Sequence, residues 1–180
     1  LIAIQGTVVA QVKKCYTSEM LQEAIKNDPG IVDRMAELEE YTQQYEKKQQ
    51  QRLTEAASGT VYIVPVVFHI IHDYGDENIS KAQILDAMEM LNRDMRFNNA
   101  DSVDILPAFK GIAADCEIEF RLARKDPSGQ CTDGIDRIYD PIEAYEGDEN
   151  SKLNPWPTNR YLNIWVAREL NNGAAGYAYY

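Results

Sequence analysis

An almost unbroken run of apolar residues, TVYIVPVVFHII, occupies residues 60–71. A run that is apolar, β-branched and without polar alternation is typical of a strand covered on both faces. Pro65 lies inside it and has no N–H to donate to a neighbouring strand. It therefore predicts that this part of the strand lies at a sheet edge or in a bulge.

One helix and two further strands follow this buried strand. Ser80 and Gln83 form the S-x-x-Q pattern of a capping box, which predicts that a helix begins there. Its apolar face would be made of Ile84, Ala87, Met88, Leu91 and Met95. Residues 117–123 and 161–166 alternate between apolar and polar positions, as half-exposed strands do.

The chain closes with GAAGYAYY at residues 173–180, for which we predict an edge strand. A domain that stopped there would leave a strand unpaired and its aromatic rings uncovered. We therefore expect the sequence to be the front part of a longer protein. The elements together predict an α/β (α+β) domain at residues 60–180, with a mostly parallel twisted sheet and a helix packed on it.

The residues before this domain have a helical pattern that fades into polarity. Asn27-Asp28-Pro29-Gly30 divides it into two helices, the first capped at Thr17-Ser18 and the second capped by Asp28. The second helix has a narrow apolar stripe and then the polar segment KKQQQR at residues 47–52. Such a segment builds no core of its own. AASG at residues 56–59 predicts a linker to the domain that follows.

The first ten residues, LIAIQGTVVA, are apolar and uncharged and end in small side chains. This pattern is typical of the end of a secretory signal peptide cleaved after Ala10. An N-terminal strand is the alternative. We expect residues 1–10 to be a signal-peptide remnant, residues 11–59 to be a helical segment with its linker, and the protein to be secreted and extracellular.

The charge of the chain argues against nucleic acid and anionic membranes as partners, and its hydropathy argues against a membrane span. Lys and Arg number 18 against 29 Asp and Glu, which gives a formal net charge of −11. This acidity argues against nucleic acid and against anionic membranes as partners. No apolar run approaches the ~18 to 20 residues that a bilayer requires.

Three cysteines leave one unpaired if the other two form a bond. Cys116 and Cys131 flank the strand predicted at residues 117–123 and the turn DPSG that follows it. Their closeness in sequence makes them a candidate disulfide, which would leave Cys15 alone. Three free or buried thiols are the alternative.

The remaining residues suggest no catalytic set. The two histidines, His69 and His72, are three residues apart on a strand, so they point to opposite faces and cannot bind one metal together. We expect His69 to be a structural residue whose polar atoms are hydrogen-bonded. The acidic stretch at residues 140–150 would attract a cation such as calcium, although it lacks the spacing of a calcium loop and is typical of a solvated loop.

Six segments of the chain are similar in order and spacing to the pappalysin-type (pregnancy-associated plasma protein A-like) zinc metalloproteases of the metzincin group. The resemblance extends in particular to their secreted microbial members such as ulilysin. The segments are IVPVVFHIIH at 63–72, residues 79–101 from IS through LNRD to NNAD, AADCEIEF at 113–120, DPSG and TDGI within 126–135, WPTNRYLNIWV at 156–166, and GYA at 176–178.

This resemblance implies a zinc enzyme whose metal lies outside the sequence. The family binds zinc with H-E-x-x-H-x-x-G-x-x-H, in which the glutamate is the general base. The motif does not occur here, so we expect the zinc histidines and the base beyond Tyr180, in a missing C-terminal subdomain. Residues 11–59 then correspond to a propeptide, and we expect the fragment alone to be inactive.

The resemblance implies two functional roles, one for a cysteine near the start of the chain and one for its last strand. Family propeptides carry a cysteine whose thiolate occupies the fourth zinc position, and Cys15 in KKCYT matches it. The segment with Gly176, Tyr177, Ala178 and Tyr179 matches the strand at the upper rim of the cleft, where it would bind a peptide substrate in extended form. A secreted, non-enzymatic binding or inhibitory module is the alternative, and a generic exported structural domain is a third.

Overall fold

The computed structural model describes residues 16–52, 60–170 and 173–178, with the side chains of 49–52 excepted. Within these residues there are four α-helices, α1 at Thr17–Asn27, α2 at Gly30–Arg52, α3 at Lys81–Met95 and α4 at Glu143–Glu146. The strands are β1 at Tyr62–His72, β2 at Ile118–Leu122, β3 at Ile135–Tyr139 and β4 at Leu162–Val166. A short 3-10 helix spans Ala100–Asp104. Within these described ranges no helix is long and apolar enough to cross a membrane.

The chain divides into two compact units. One comprises Glu55–Glu169 and holds β1 to β4, and the other combines Leu1–Thr54 with Leu170–Tyr180 and holds α1 and α2. The sequence placed a boundary close to this one, near residue 60. It assigned the C-terminal segment to the sheet domain, whereas the structure groups that segment with the helices.

The sheet is built around β1, which pairs in parallel with each of the other three strands. β2 pairs with residues 62–66 of β1, β4 with residues 66–70, and β3 with residues 68–72. An isolated antiparallel bridge joins Lys125 and Cys131 between β2 and β3. The predicted mostly parallel sheet with a packed helix is therefore confirmed.

Even-numbered residues of β1 make its backbone hydrogen bonds to β2 and β3. The Tyr62 N–H donates to Glu117 O, the Phe68 N–H donates to Gly134 O, and His72 O accepts from the Asp140 N–H. Alternate residues of a strand direct their backbone groups to the same edge. β2 and β3 therefore follow one another along one edge of β1, and β4 lies along the other.

This arrangement explains why Pro65 is tolerated: as predicted, the part of β1 that contains it lies at an edge, because β4 pairs only with residues 66–70. As an odd-numbered residue, Pro65 directs its missing N–H toward the edge that carries β4. Pairing with β4 begins only at Val66, opposite Leu162. No ladder hydrogen bond is lost, because the strand partner on that edge starts one residue later.

Both faces of β1 are covered, as predicted. On one face Val66, Phe68 and Ile70 pack with Ile84 and Met88 of α3. On the other face Val67 packs with Ala123, Tyr161 and the partly buried Trp156. The five strand residues Val66–Ile70 are at most 6% exposed. The sheet core therefore consists of two apolar layers with β1 between them.

Helix α3 is held at its start and along its length by polar contacts. Both bonds of the predicted capping box are present, with the Gln83 N–H donating to Ser80 Oγ and the Ser80 N–H donating to the Gln83 side chain. Asn92 extends its carboxamide to β2, where Nδ2 donates to Phe120 O at 2.9 Å and Oδ1 accepts from the Phe120 N–H at 2.7 Å. The side chain thus occupies the outer edge of β2 in the manner of a neighbouring strand.

The two N-terminal helices form as predicted, with one change at a cap. α1 begins after Tyr16 and has no side-chain cap, so Thr17-Ser18 does not cap it. The Asp28 carboxylate accepts from the Gly30 N–H at 3.0 Å at the start of α2. Met20 and Ala24 of α1 are buried, whereas no described side chain of α2 is buried.

The predicted edge strand at residues 173–180 is not formed over its described part, residues 173–178. Gly173 adopts a left-handed φ of 69°, and its N–H donates to Leu170 O. The Ala178 N–H donates to Thr17 Oγ1 of α1 at 3.3 Å. A backbone donor that bonds to a helix side chain is not available for strand pairing, which accounts for the difference.

Candidate functional site

A fully buried polar group lies at the centre of the sheet. His69 of β1 is 0% exposed, with Nδ1 3.2 Å from Asp136 Oδ2 of β3 and Nε2 2.9 Å from Asn163 Oδ1 of β4. Its ring stacks on Trp165 with centroids 5.0 Å apart, and Trp156 meets it edge-on. Both ring nitrogens are hydrogen-bonded, so His69 is the structural residue that the sequence predicted.

His72, at the end of the same strand, is also buried and hydrogen-bonded. Its Nδ1 accepts from the Tyr74 N–H at 3.3 Å. The rings of Tyr74 and Tyr139 meet the His72 ring edge-on. As the only two histidines in the chain have these internal partners, the described residues do not offer the three histidine ligands of a metzincin zinc site.

A second buried polar group, Glu77, closes the turn that follows β1. Its side chain is 0% exposed. The carboxylate accepts from the N–H groups of Asp73 and Gly75, both at 2.8 Å, and Arg168 lies 3.4 Å away. The Asp73 N–H, followed by other backbone donors and Arg168, lowers the pKa of Glu77 to about 2. A Cβ at Gly75 would collide with this carboxylate.

Three acidic side chains come together on and after α4. Carboxylate oxygens of Glu143, Glu146 and Asp148 lie within 4.8 Å of one another. Two of the three already accept hydrogen bonds, since Ser151 Oγ donates to Glu143 and the Asn150 N–H donates to Asp148. Oxygen ligands suit a hard cation such as Ca²⁺. A calcium site in the acidic stretch at residues 140–150 stays a prediction.

Three of the four residues that the sequence assigned to substrate binding lie among the described residues. Gly176, Tyr177 and Ala178 lie in the irregular segment 173–178, and Tyr179 lies outside the described residues, as does the latency candidate Cys15. A Cβ added at Gly176 would meet nothing within 4 Å. The backbone of the segment is therefore approachable at Gly176, while its Ala178 N–H bonds to α1.

The predicted disulfide between Cys116 and Cys131 is wrong, because both are free, exposed thiols. The Cys116 N–H donates to Met95 O, which ties that residue to the end of α3 before β2 begins. Cys131 pairs with Lys125 beyond the other end of β2. An extended strand advances ~3.3 Å per residue, so the five residues of β2 hold the two thiols well apart.

Sequence reasoning missed Glu77, Asp136 and Asn163, which complete the two buried polar groups. A carboxylate in an acidic chain gives no sign of its burial. One signal was present for Glu77, since Gly75 lies two residues earlier in DYGD, a composition typical of a turn, where a carboxylate can accept backbone N–H groups. Nothing local marks the other two as partners of His69, because they lie 67 and 94 residues away.

Solved structures similar to this chain share its arrangement of strands and helices. A mutant of Tannerella forsythia promirolysin is 30% identical, over 93% of this chain and 53% of its own, with a TM-score of 0.62. The fold is metzincin-like. Mature mirolysin of Tannerella forsythia, in complex with a cleaved peptide, is 38% identical over 60% of this chain and 43% of its own, with a TM-score of 0.55.

A third structure, mirolysin in complex with compound 9, is 36% identical over 59% of this chain and 42% of its own, with a TM-score of 0.52. The chain thus spans about half the length of the solved structures that it matches. No protein-family model and no curated protein sequence matches it. These neighbours are the metalloprotease mirolysin and its zymogen, which supports a protease as the parent of this chain.

The buried carboxylate of Glu77 predicts an acid-sensitive turn. Its pKa falls from 4.5 to about 2 on folding, so its stabilising contribution is fully present above pH 4.5 and is lost as pH falls toward 2. Glu77→Gln should lower the unfolding temperature at neutral pH. The difference from the parent protein should shrink across that acidic window in thermal melts.

Asp76→Asn is the matched control, because it removes an exposed charge from the same turn. It should leave the unfolding temperature almost unchanged. Equal destabilisation by both variants, or a Glu77→Gln difference that does not vary with pH, would contradict the role assigned to Glu77.

Proposed function

We propose that the chain is the propeptide and N-terminal half of a secreted, zinc-dependent metalloendopeptidase zymogen of the pappalysin type. The observation that carries the proposal is the difference between the two mirolysin matches. The proform matches 93% of this chain, whereas the mature form matches 60%. A propeptide is what a zymogen has and its mature enzyme lacks.

The lengths of these matches fit the two units of the chain. Sixty per cent of 180 residues is about 108 residues, close to the length of the unit Glu55–Glu169 that holds the sheet. The longer match to the proform must also include residues of the helical unit. This supports assigning α1, α2 and the linker to a propeptide, and the sheet unit to the start of the catalytic domain.

Contacts within the helical unit favour a blocking role for α1. The segment that we assign to substrate binding gives its Ala178 N–H to Thr17 of α1. A peptide that adds to this segment as a strand would need such backbone donors for itself. Propeptide and substrate would therefore compete for the same backbone, and removal of α1 would free it.

Activation requires a cut between the propeptide and the sheet. We place it within the segment KKQQQR at residues 47–52, which carries three basic side chains, or in the linker that ends at Gly59. Peptides or proteins are the proposed substrates.

Zinc would be held by the parent protein and not by the residues described here, whose two histidines are hydrogen-bonded internally. When bound, zinc would activate water for attack on a peptide bond. The present chain would contribute the rim that orients the peptide and the propeptide that delays activity. The fragment alone would be inactive.

A secreted binding module without a zinc half is the alternative function. The coding sequence beyond Tyr180 distinguishes the two. We expect H-E-x-x-H-x-x-G-x-x-H within the next several dozen codons. A stop codon, or a continuation without histidines, would contradict the protease and favour the binding module.

Replacing Cys15, the proposed inhibitory zinc ligand, tests directly whether the propeptide keeps the zymogen inactive. Cys15→Ala in the full-length parent should speed autoactivation, because a thiolate would no longer occupy the fourth zinc position. We expect an increase of about tenfold or more, since losing ~1.4 kcal/mol of binding corresponds to a factor of ten. The measurement is the rate at which the mature form appears on gels.

Cys116→Ala is the matched control, since it removes an exposed free thiol outside the propeptide. It should leave the activation rate unchanged. If the Cys15 variant remained as latent as the parent, Cys15 would not be the inhibitory ligand.

A second variant tests the substrate segment. Gly176→Val adds a side chain where this chain has open space, so folding should be unaffected, but an approaching peptide backbone would be obstructed. We expect KM for peptide cleavage by the activated parent to rise about tenfold, as losing one or two hydrogen bonds of ~1 kcal/mol each predicts. Gly111→Val, at another open glycine, is the control. Equal KM values for both variants would remove segment 173–178 from the substrate site.

A further inference from the structure

The orientation of the Asn163 side chain determines which of its atoms faces His69. Its Nδ2 donates to Trp156 O at 2.9 Å, and its Oδ1 accepts from the Trp156 N–H at 2.9 Å. Turning the amide over would bring two donors together and two acceptors together. The atom that faces His69 Nε2 is therefore the acceptor Oδ1, at 2.9 Å. His69 Nε2 must carry a proton.

The other ring nitrogen faces a second acceptor. Nδ1 of His69 lies 3.2 Å from Asp136 Oδ2, which also accepts from Asn154 Nδ2 at 3.3 Å. Asp136 retains contact with solvent, since its side chain is 28% exposed. An unprotonated Nδ1 would place two acceptors against each other, so a proton lies between them, and the imidazole is the stronger base of the two. Nδ1 therefore carries a proton as well.

We propose that His69 holds a proton on both ring nitrogens in the folded protein and acts as a proton-dependent clamp between β3 and β4. The ring belongs to β1 and donates to Asp136 on one neighbouring strand and to Asn163 on the other. Losing either proton would place a nitrogen lone pair against an oxygen in a buried site. An unmade hydrogen bond of this kind weakens the contact between strands.

The charges around the ring are consistent with one positive group. β3 supplies Asp136, and β4 supplies the neutral Asn163 and Trp165. The loop before β4 supplies Asn154 and Trp156, which are also neutral. Among the described contacts, the single negative charge that faces the imidazolium is therefore Asp136, and the stacked Trp165 favours a cation at its face.

His72 provides a control within the same strand. Its Nδ1 accepts the Tyr74 N–H, so that nitrogen must keep its lone pair and the ring must be neutral. The two histidines of the chain are therefore assigned opposite protonation states by their hydrogen bonds. Both are buried, so burial alone would not distinguish them.

The test is to label the protein with ¹⁵N-histidine and to record the ring ¹H–¹⁵N correlations at neutral pH. We expect His69 to show two protonated ring nitrogens and His72 to show one. A neutral pattern for His69, with one protonated nitrogen, would overturn the proposal. The measurement needs no variant, so it decides even if substitutions at this site prevent folding.

A pair of variants tests the clamp. In Asp136→Asn, His69 should lose its Nδ1 proton, whereas Asp133→Asn should leave it, because that carboxylate contacts Lys81 and not the ring. Loss of this proton in Asp136→Asn should also shift the backbone amides of β4, which the substitution does not touch. A His69 ring that loses its proton without amide shifts in β4 would show that it is not a clamp.

Discussion

The fold depends on β1 having three strand partners. Its even-numbered residues hydrogen-bond first to β2 and then to β3 along one edge, while β4 occupies the other. Over residues 66–70 this strand is paired on both edges, and both its faces are covered by side chains. A polar group in this stretch, such as His69, must therefore find its partners inside the sheet. His72 lies beyond it and is hydrogen-bonded by the turn that follows β1.

The same constraint explains what the sequence could predict. The apolar run around β1, the capping box of α3 and the alternating strands β2 and β4 are local patterns, and the structure contains all of them. β3 was missed, since IDRIY has neither strict alternation nor a continuous apolar run. β3 forms because residues 68–72 of β1 offer backbone groups on the edge that β2 leaves unpaired. The signal that precedes it is Gly134, where a Cβ would lie 2.8 Å from the backbone of Ala123.

The errors in the candidate site also concern long-range partners. Cys116 and Cys131 are near in sequence, but β2 lies between them and keeps them apart. Residues 173–178 have the composition of an edge strand, yet the Ala178 N–H bonds to a helix that begins 161 residues earlier. Composition predicts what a segment can form, whereas the partner that reaches it decides what it does form. Pro65 is the converse case, because the edge position that it predicts from local sequence is found where β4 has not yet begun.

The two buried polar groups respond to protons in opposite directions. Glu77 stabilises its turn as a carboxylate, so adding a proton removes acceptors from the Asp73 and Gly75 N–H groups. His69 stabilises the strands as a double donor, so removing a proton leaves an acceptor facing an oxygen. The turn after β1 therefore needs an unprotonated carboxylate, whereas the clamp proposed for His69 needs a protonated ring. β2, β3 and β4 all depend on β1 for their ladder hydrogen bonds, so a polar group that holds β1 in place affects the whole sheet.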